Sequence, residues 1–75
     1  MIKELDPVAL THDLAEHGLL AGDIGTVVHV YETGAGFEVE FVRGSGETVA
    51  VATLTSADIR PLGAAEILHA RKLAS

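Results

Sequence analysis

The segment Phe37-Glu38-Val39-Glu40-Phe41 alternates apolar and acidic residues without a break. That period of two belongs to a strand with one face buried and the other in water. Phe37, Val39 and Phe41 must point one way and Glu38 and Glu40 the other, whereas a helix would scatter them around its circumference. Turn signals bound the strand on both sides, Thr33-Gly34-Ala35-Gly36 before it and Arg43-Gly44-Ser45-Gly46 after Val42. Their glycines supply the positive φ that tight hairpins need. A strand so closely bracketed belongs with others of its kind.

The rest of the chain supplies them. Ile24 to Glu32 is rich in β-branched residues and reads as the strongest strand, with Gly25 marking a bulge or sharp bend. Pro7 to Thr11 reads as a short first strand with proline at its first position. His12 to Asp23 reads as a long hairpin loop with one helical turn, since Gly18 and Gly22 break any longer helix. Glu47 to Leu54 is a fourth strand, with Val49 and Val51 expected to face the core. Thr55 to Asp58 is a helical-turn connector, and Asp58 to Leu62 a short fifth strand ending near Pro61. Short strands at this spacing indicate an all-β barrel or sandwich, and 75 residues hold one core. A five-stranded barrel, which removes its own edges, is the expected architecture.

After Gly63 the character changes. Ala64 to Leu73 consists mostly of helix formers and ends in Arg71 and Lys72, predicting a short C-terminal helix. Such a helix is marginal alone, because isolated helices need roughly 12–15 residues. Its stripe of Ile67, Leu68 and Leu73 is therefore expected to pack on the barrel, on a partner, or on a second copy in a homo-oligomer, and otherwise to fray.

The chain has no cysteine, which removes disulfides, thiolate metal sites and thiol nucleophiles and fits a reducing cytoplasm. Met1 to Asp6 lacks the basic and apolar regions of a signal peptide. No apolar run approaches the roughly 20 residues that span a bilayer. A soluble, cytoplasmic protein without a membrane partner is expected. Eleven Asp and Glu stand against five Lys and Arg, a formal charge of -6. The cations Lys3, Arg43, Arg60, Arg71 and Lys72 are scattered, and the aromatic residues are only Tyr31, Phe37 and Phe41. Nucleic-acid affinity rests on neutralising phosphates, so this charge disfavours DNA or RNA. A basic protein is the partner that complements it.

Candidate sites follow from the charged residues. His12 and His17 flank Asp13 and Glu16 in one loop, but His-x-x-x-x-His is not a zinc spacing and a closed site needs further ligands. Solvated loop histidines, open to a pH-sensitive contact, are the plainer reading. Glu38 and Glu40 share a strand face, yet acid–base work needs a pocket that splits their pKa values, and a barrel this small has a filled interior. They are expected to form, with Glu32 and Glu47 nearby, an acidic face toward a basic partner. The glycines lack the phosphate-loop pattern. Ser45, Ser56 and Ser75 lack a nucleophile elbow. No catalytic residue, metal or cofactor is expected. The expected partner-binding residues are Glu38 and Glu40, with His12, Asp13, Glu16, His17 and Asp23 from the loop.

The run Leu20-Ala21-Gly22-Asp23-Ile24-Gly25-Thr26-Val27-Val28 resembles the turn of SH3-like barrels, including ribosomal KOW-type modules. Leu5-Asp6-Pro7-Val8-Ala9-Leu10-Thr11 and Leu14-Ala15-Glu16-His17-Gly18-Leu19 precede it. Tyr31, Phe37 to Phe41, Gly46-Glu47-Thr48, Leu54 and Asp58-Ile59-Arg60-Pro61 follow in order. Over residues 2–62 the chain looks like the bacterial family called domain of unknown function 4926. The resemblance implies a stand-alone SH3-like barrel over 1–62 with a separate tail over 63–75. It also implies work beside a neighbouring gene product, as the neutralising half of a toxin–antitoxin pair. A KOW-like nucleic-acid-associated module and a metal- or small-ligand-binding accessory are the alternatives.

Overall fold

Strands form where β-branched and aromatic residues concentrate. The computed structural model, which describes residues 2–32 and 35–73, contains β1 (Pro7–Leu10), β2 (Ile24–Val30), β3 (Phe37–Val42), β4 (Thr48–Leu54) and β5 (Ile59–Pro61). They build one antiparallel sheet in the order β4-β3-β2-β1-β5. Among the described residues no ladder joins β4 to β5, so the sheet is open along these two strands. No helix there is long and apolar enough to cross a membrane.

The core forms on the face that the β3 alternation defines. Phe37, Val39 and Phe41 are buried there with Val8, Leu10, Val27, Leu54 and Ile59. β4 meets them in the register Phe37↔Leu54, Val39↔Ala52 and Phe41↔Ala50. That register corrects the sequence reading of β4. Val51 lies opposite Glu40 and is 51% exposed, while Val49 packs partly against the core. The register shifts between Phe41 and Val42, and one extra residue flips every following side chain to the other face.

Gly25 is not where the ladder breaks. It pairs with Val8, and the β2–β3 register shift falls between Val27 and His29. What Gly25 provides is close approach: a Cβ there would stand 2.6 Å from Val39 Cγ1 and 2.8 Å from Phe41 Cε1.

The loop between β1 and β2 is ordered by its own backbone. Leu14 and Leu19, both buried, exchange hydrogen bonds of 2.9 and 3.1 Å around a single 3-10 turn, Ala15–His17. Gly18 ends that turn with φ of 70°, a conformation that costs glycine nothing. The expected C-terminal helix is absent: after Gly63 the chain makes one turn and then runs without regular structure to Leu73. A helix that short is weak on its own, and its charged side chains are drawn elsewhere. Glu66 bonds to Arg60 and to the Gly63 N–H, and Arg71 reaches back to Asp23.

Candidate functional site

The outer face of β2, β3 and β4 is built around two carboxylates. Glu38 lies beside His29 on β2 and Thr53 on β4, and Glu40 beside Thr26 and Val51. The Tyr31 hydroxyl donates to Glu38 Oε2, which also accepts from Thr53 Oγ1 at 2.7 Å. Thr48 Oγ1 donates to Glu40 Oε2 at 2.7 Å. The Tyr31 and Thr53 hydroxyls stabilise the ionised Glu38 carboxylate. The Tyr31 contact, followed by that of Thr53, holds the Glu38 carboxyl below the usual range. The same contact raises the Tyr31 phenol, because its proton is held by a carboxylate. His29 stacks edge-on against Tyr31 with centroids 4.8 Å apart. Its Nδ1 lies 3.8 Å from Glu4. The result is a fixed negative face fringed by exposed apolar surface from Tyr31 and Val51.

The loop residues serve different ends. His12 Nε2 meets Asp58 Oδ1 at 2.7 Å and its Nδ1 lies 3.0 Å from the Asp13 carbonyl. The Asp58 contact, then the Asp13 carbonyl, raise the His12 pKa, and the same His12 contact lowers that of Asp58. Thr11 adds a backbone hydrogen bond to Asp58 and a side-chain one to Ala57, tying this loop to the β4–β5 connector. The Asp13 carboxylate accepts from the Ala21 N–H at 2.8 Å, and Asp23 from the Leu20 N–H at 2.8 Å. Both are turn-shaping contacts of short acidic side chains. Asp23 also takes the Arg71 guanidinium, which holds its carboxyl below the usual range against the upward push of burial. Glu16 and His17 are exposed.

The expected binding residues thus fall into two groups. Glu38 and Glu40 share one face, His12, Asp13 and Asp23 lie in the loop, and no hydrogen bond links the groups among the described residues. No three acidic or histidine side chains gather as a metal ligand set among those residues. Asp58, Arg71, Tyr31, Thr48 and Thr53 complete the sites without having been singled out from the sequence. The Thr53 pairing depends on the register shift near Val42, which counting outward from the β3–β4 turn misses, and nothing local marks Arg71 as the partner of Asp23. Ile67 and Leu68 are 91% and 67% exposed, whereas Leu73 is half-buried. Leu73 instead lines a groove of about 410 Å³, whose walls include Leu19, Asp23, Phe41, Val49 and Arg71.

No curated protein and no solved structure matches the chain. The family model described as Domain of unknown function (DUF4926) matches residues 4–61, well over half of the sequence, and the chain belongs to that family.

Proposed function

We propose that this protein is a cytoplasmic, non-catalytic protein-binding module that offers an acidic sheet face to a basic partner. An SH3-like barrel is the architecture that goes with this reading. The strand order supports it, because β5 lies beside β1 and a meander of β2, β3 and β4 continues from the other side. A long ordered loop before β2 and a one-turn connector before β5 agree with it as well.

One observation carries the binding reading: Glu38 and Glu40 stand on an outward face and their carboxylates are held by Tyr31, Thr53 and Thr48. The hydroxyls of Tyr31 and Thr53 hold the Glu38 carboxyl below the usual range, and a carboxylate held in its ionised form suits attracting a cation better than shuttling a proton. Ringed by exposed Tyr31 and Val51, they combine the charge that speeds encounter with apolar surface that sustains contact. The partner is the product of a neighbouring gene, which this chain neutralises in the manner of an antitoxin. Co-expression of the protein with its gene neighbours, followed by purification, tests this. A stoichiometric basic partner retained by the wild type and lost by Glu38→Lys/Glu40→Lys is the expected result. A partner retained equally by both proteins rules out the acidic face.

A further inference from the structure

Asp23 is held as a receptor for a guanidinium. Arg71 Nε donates to Oδ1 at 2.8 Å and Nη2 donates to Oδ2, the two-pronged geometry that favours arginine over lysine. The same Nη2 reaches the Gly18 carbonyl at 3.3 Å. The Leu20 N–H fixes the carboxylate from the loop side, and the Leu10 N–H fixes the Asp23 carbonyl to β1 at 2.9 Å. The side chains are only 18% exposed for Asp23 and 26% for Arg71, so solvent screens the pair less than an ordinary surface ion pair. The groove beside it has apolar walls from Leu19, Phe41 and Val49.

Receptor and plug have different standing in the chain. Gly18, Leu20 and Asp23 lie within the region that matches the family, while Arg71 lies beyond it. Past Gly63 the plug forms no strand or helix among the described residues. Among the described residues, the Glu66 contacts with Arg60 and the Arg71 bonds to Asp23 and Gly18 tie it to the rest of the protein.

We propose that the Asp23 groove binds an extended, arginine-bearing segment of a protein partner, with an apolar residue two positions after the arginine. His69, Arg71, Lys72 and Leu73 of the protein's own tail form one wall of the groove, and Arg71 holds Asp23 in cis as a competitor. This rests on the protein-binding reading but uses a different surface from Glu38 and Glu40. A short tether holds its ligand at an effective concentration on the order of millimolar. An incoming arginine must displace Arg71, and removing Arg71 frees the Asp23 carboxylate.

The test uses the full-length chain and an acetylated, amidated peptide with the sequence of residues 66–73. Titration is followed by amide chemical shifts. The Arg71→Ala protein should show saturable shifts at Gly18, Leu20, Asp23 and Val49, and the wild type should bind at least ~10-fold more weakly because Arg71 already holds Asp23. A peptide with alanine in place of arginine should not bind. Neither should peptide binding survive Asp23→Asn, which keeps an oxygen for the Leu20 N–H but loses the charge. If that variant fails to fold, the alanine peptide decides the matter alone. Equal affinity for wild type and Arg71→Ala, or no shifts at residues 18–24 in Arg71→Ala at several millimolar peptide, overturns the proposal. Adding Glu38→Lys/Glu40→Lys to the Arg71→Ala protein should leave peptide affinity unchanged, so failure of this groove is distinguishable from failure of the acidic face.

Discussion

Tyr31 donates its hydroxyl to Glu38 Oε2, the same oxygen that accepts from Thr53, so one carboxylate on β3 is shared between β4 and the end of β2. Tyr31 is the only tyrosine, and the chain has no tryptophan, which makes its ionisation readable by ultraviolet absorbance. The phenol should titrate above its ordinary value of 10.0, and Glu38→Gln should return it toward that value. Reciprocally, Tyr31→Phe should raise the Glu38 carboxyl pKa, read from its carboxyl carbon shift, with part of the depression kept by Thr53. Identical phenol titrations in wild type and Glu38→Gln would contradict the contact.

Gly25→Ala should destabilise the protein. The new Cβ would sit 2.6 Å from Val39 Cγ1 and 2.8 Å from the Phe41 ring. Both neighbours are buried and neither has a flexible end that can swing away. Overpacking of this kind costs about 1–3 kcal/mol, more than the roughly 0.5–1 kcal/mol by which alanine outperforms glycine in a strand interior. Urea unfolding should show the loss, with a Tm drop of roughly 4–8 °C for each kcal/mol. A midpoint equal to wild type would show that the sheet has room there.

His12 and Asp58 make a pH-dependent tie between the long loop and the connector before β5. The folded-state pKa of His12 is raised above 6.5, so its contribution is complete below that value and fades as pH rises through the raised pKa. Asp58 is lowered from 3.8, so its contribution is complete above that value and is lost as pH falls through the lowered pKa. The tie is therefore strongest between about pH 4 and pH 6.5. The His12 ring-proton signal should titrate above that of an unperturbed histidine, and Asp58→Asn should bring it down. A midpoint that does not move in Asp58→Asn would sink this reading.

Much of the fold was legible because the strands carry strong local signals. The alternation of Phe37 to Phe41 places the core face, and glycine turns place the hairpin between β3 and β4. Legibility failed where a bulge intervened: counting outward from the turn sets Glu38 opposite Ala52, and only the irregularity near Val42 brings Thr53 beside Glu38 and Val51 beside Glu40. Gly25 stands out in the sequence, but the close approach that requires a glycine there comes from Val39 and Phe41 on another strand. The segment after Gly63 has helix-forming composition, yet contacts with Arg60 and Asp23 hold its charged side chains outside a helix. Those contacts join residues far apart in sequence, so local propensity carries no trace of them.

The most direct test of the binding reading is to map the partner's footprint on the protein by amide chemical shifts, using the basic partner co-purified from its gene neighbourhood. The largest changes should fall at Glu38, Glu40, Val51 and Thr53, and Glu38→Lys/Glu40→Lys should abolish them. A complex of undiminished affinity whose shifts avoid the outer face of β3 and β4 would contradict the assignment of that face as the site of binding.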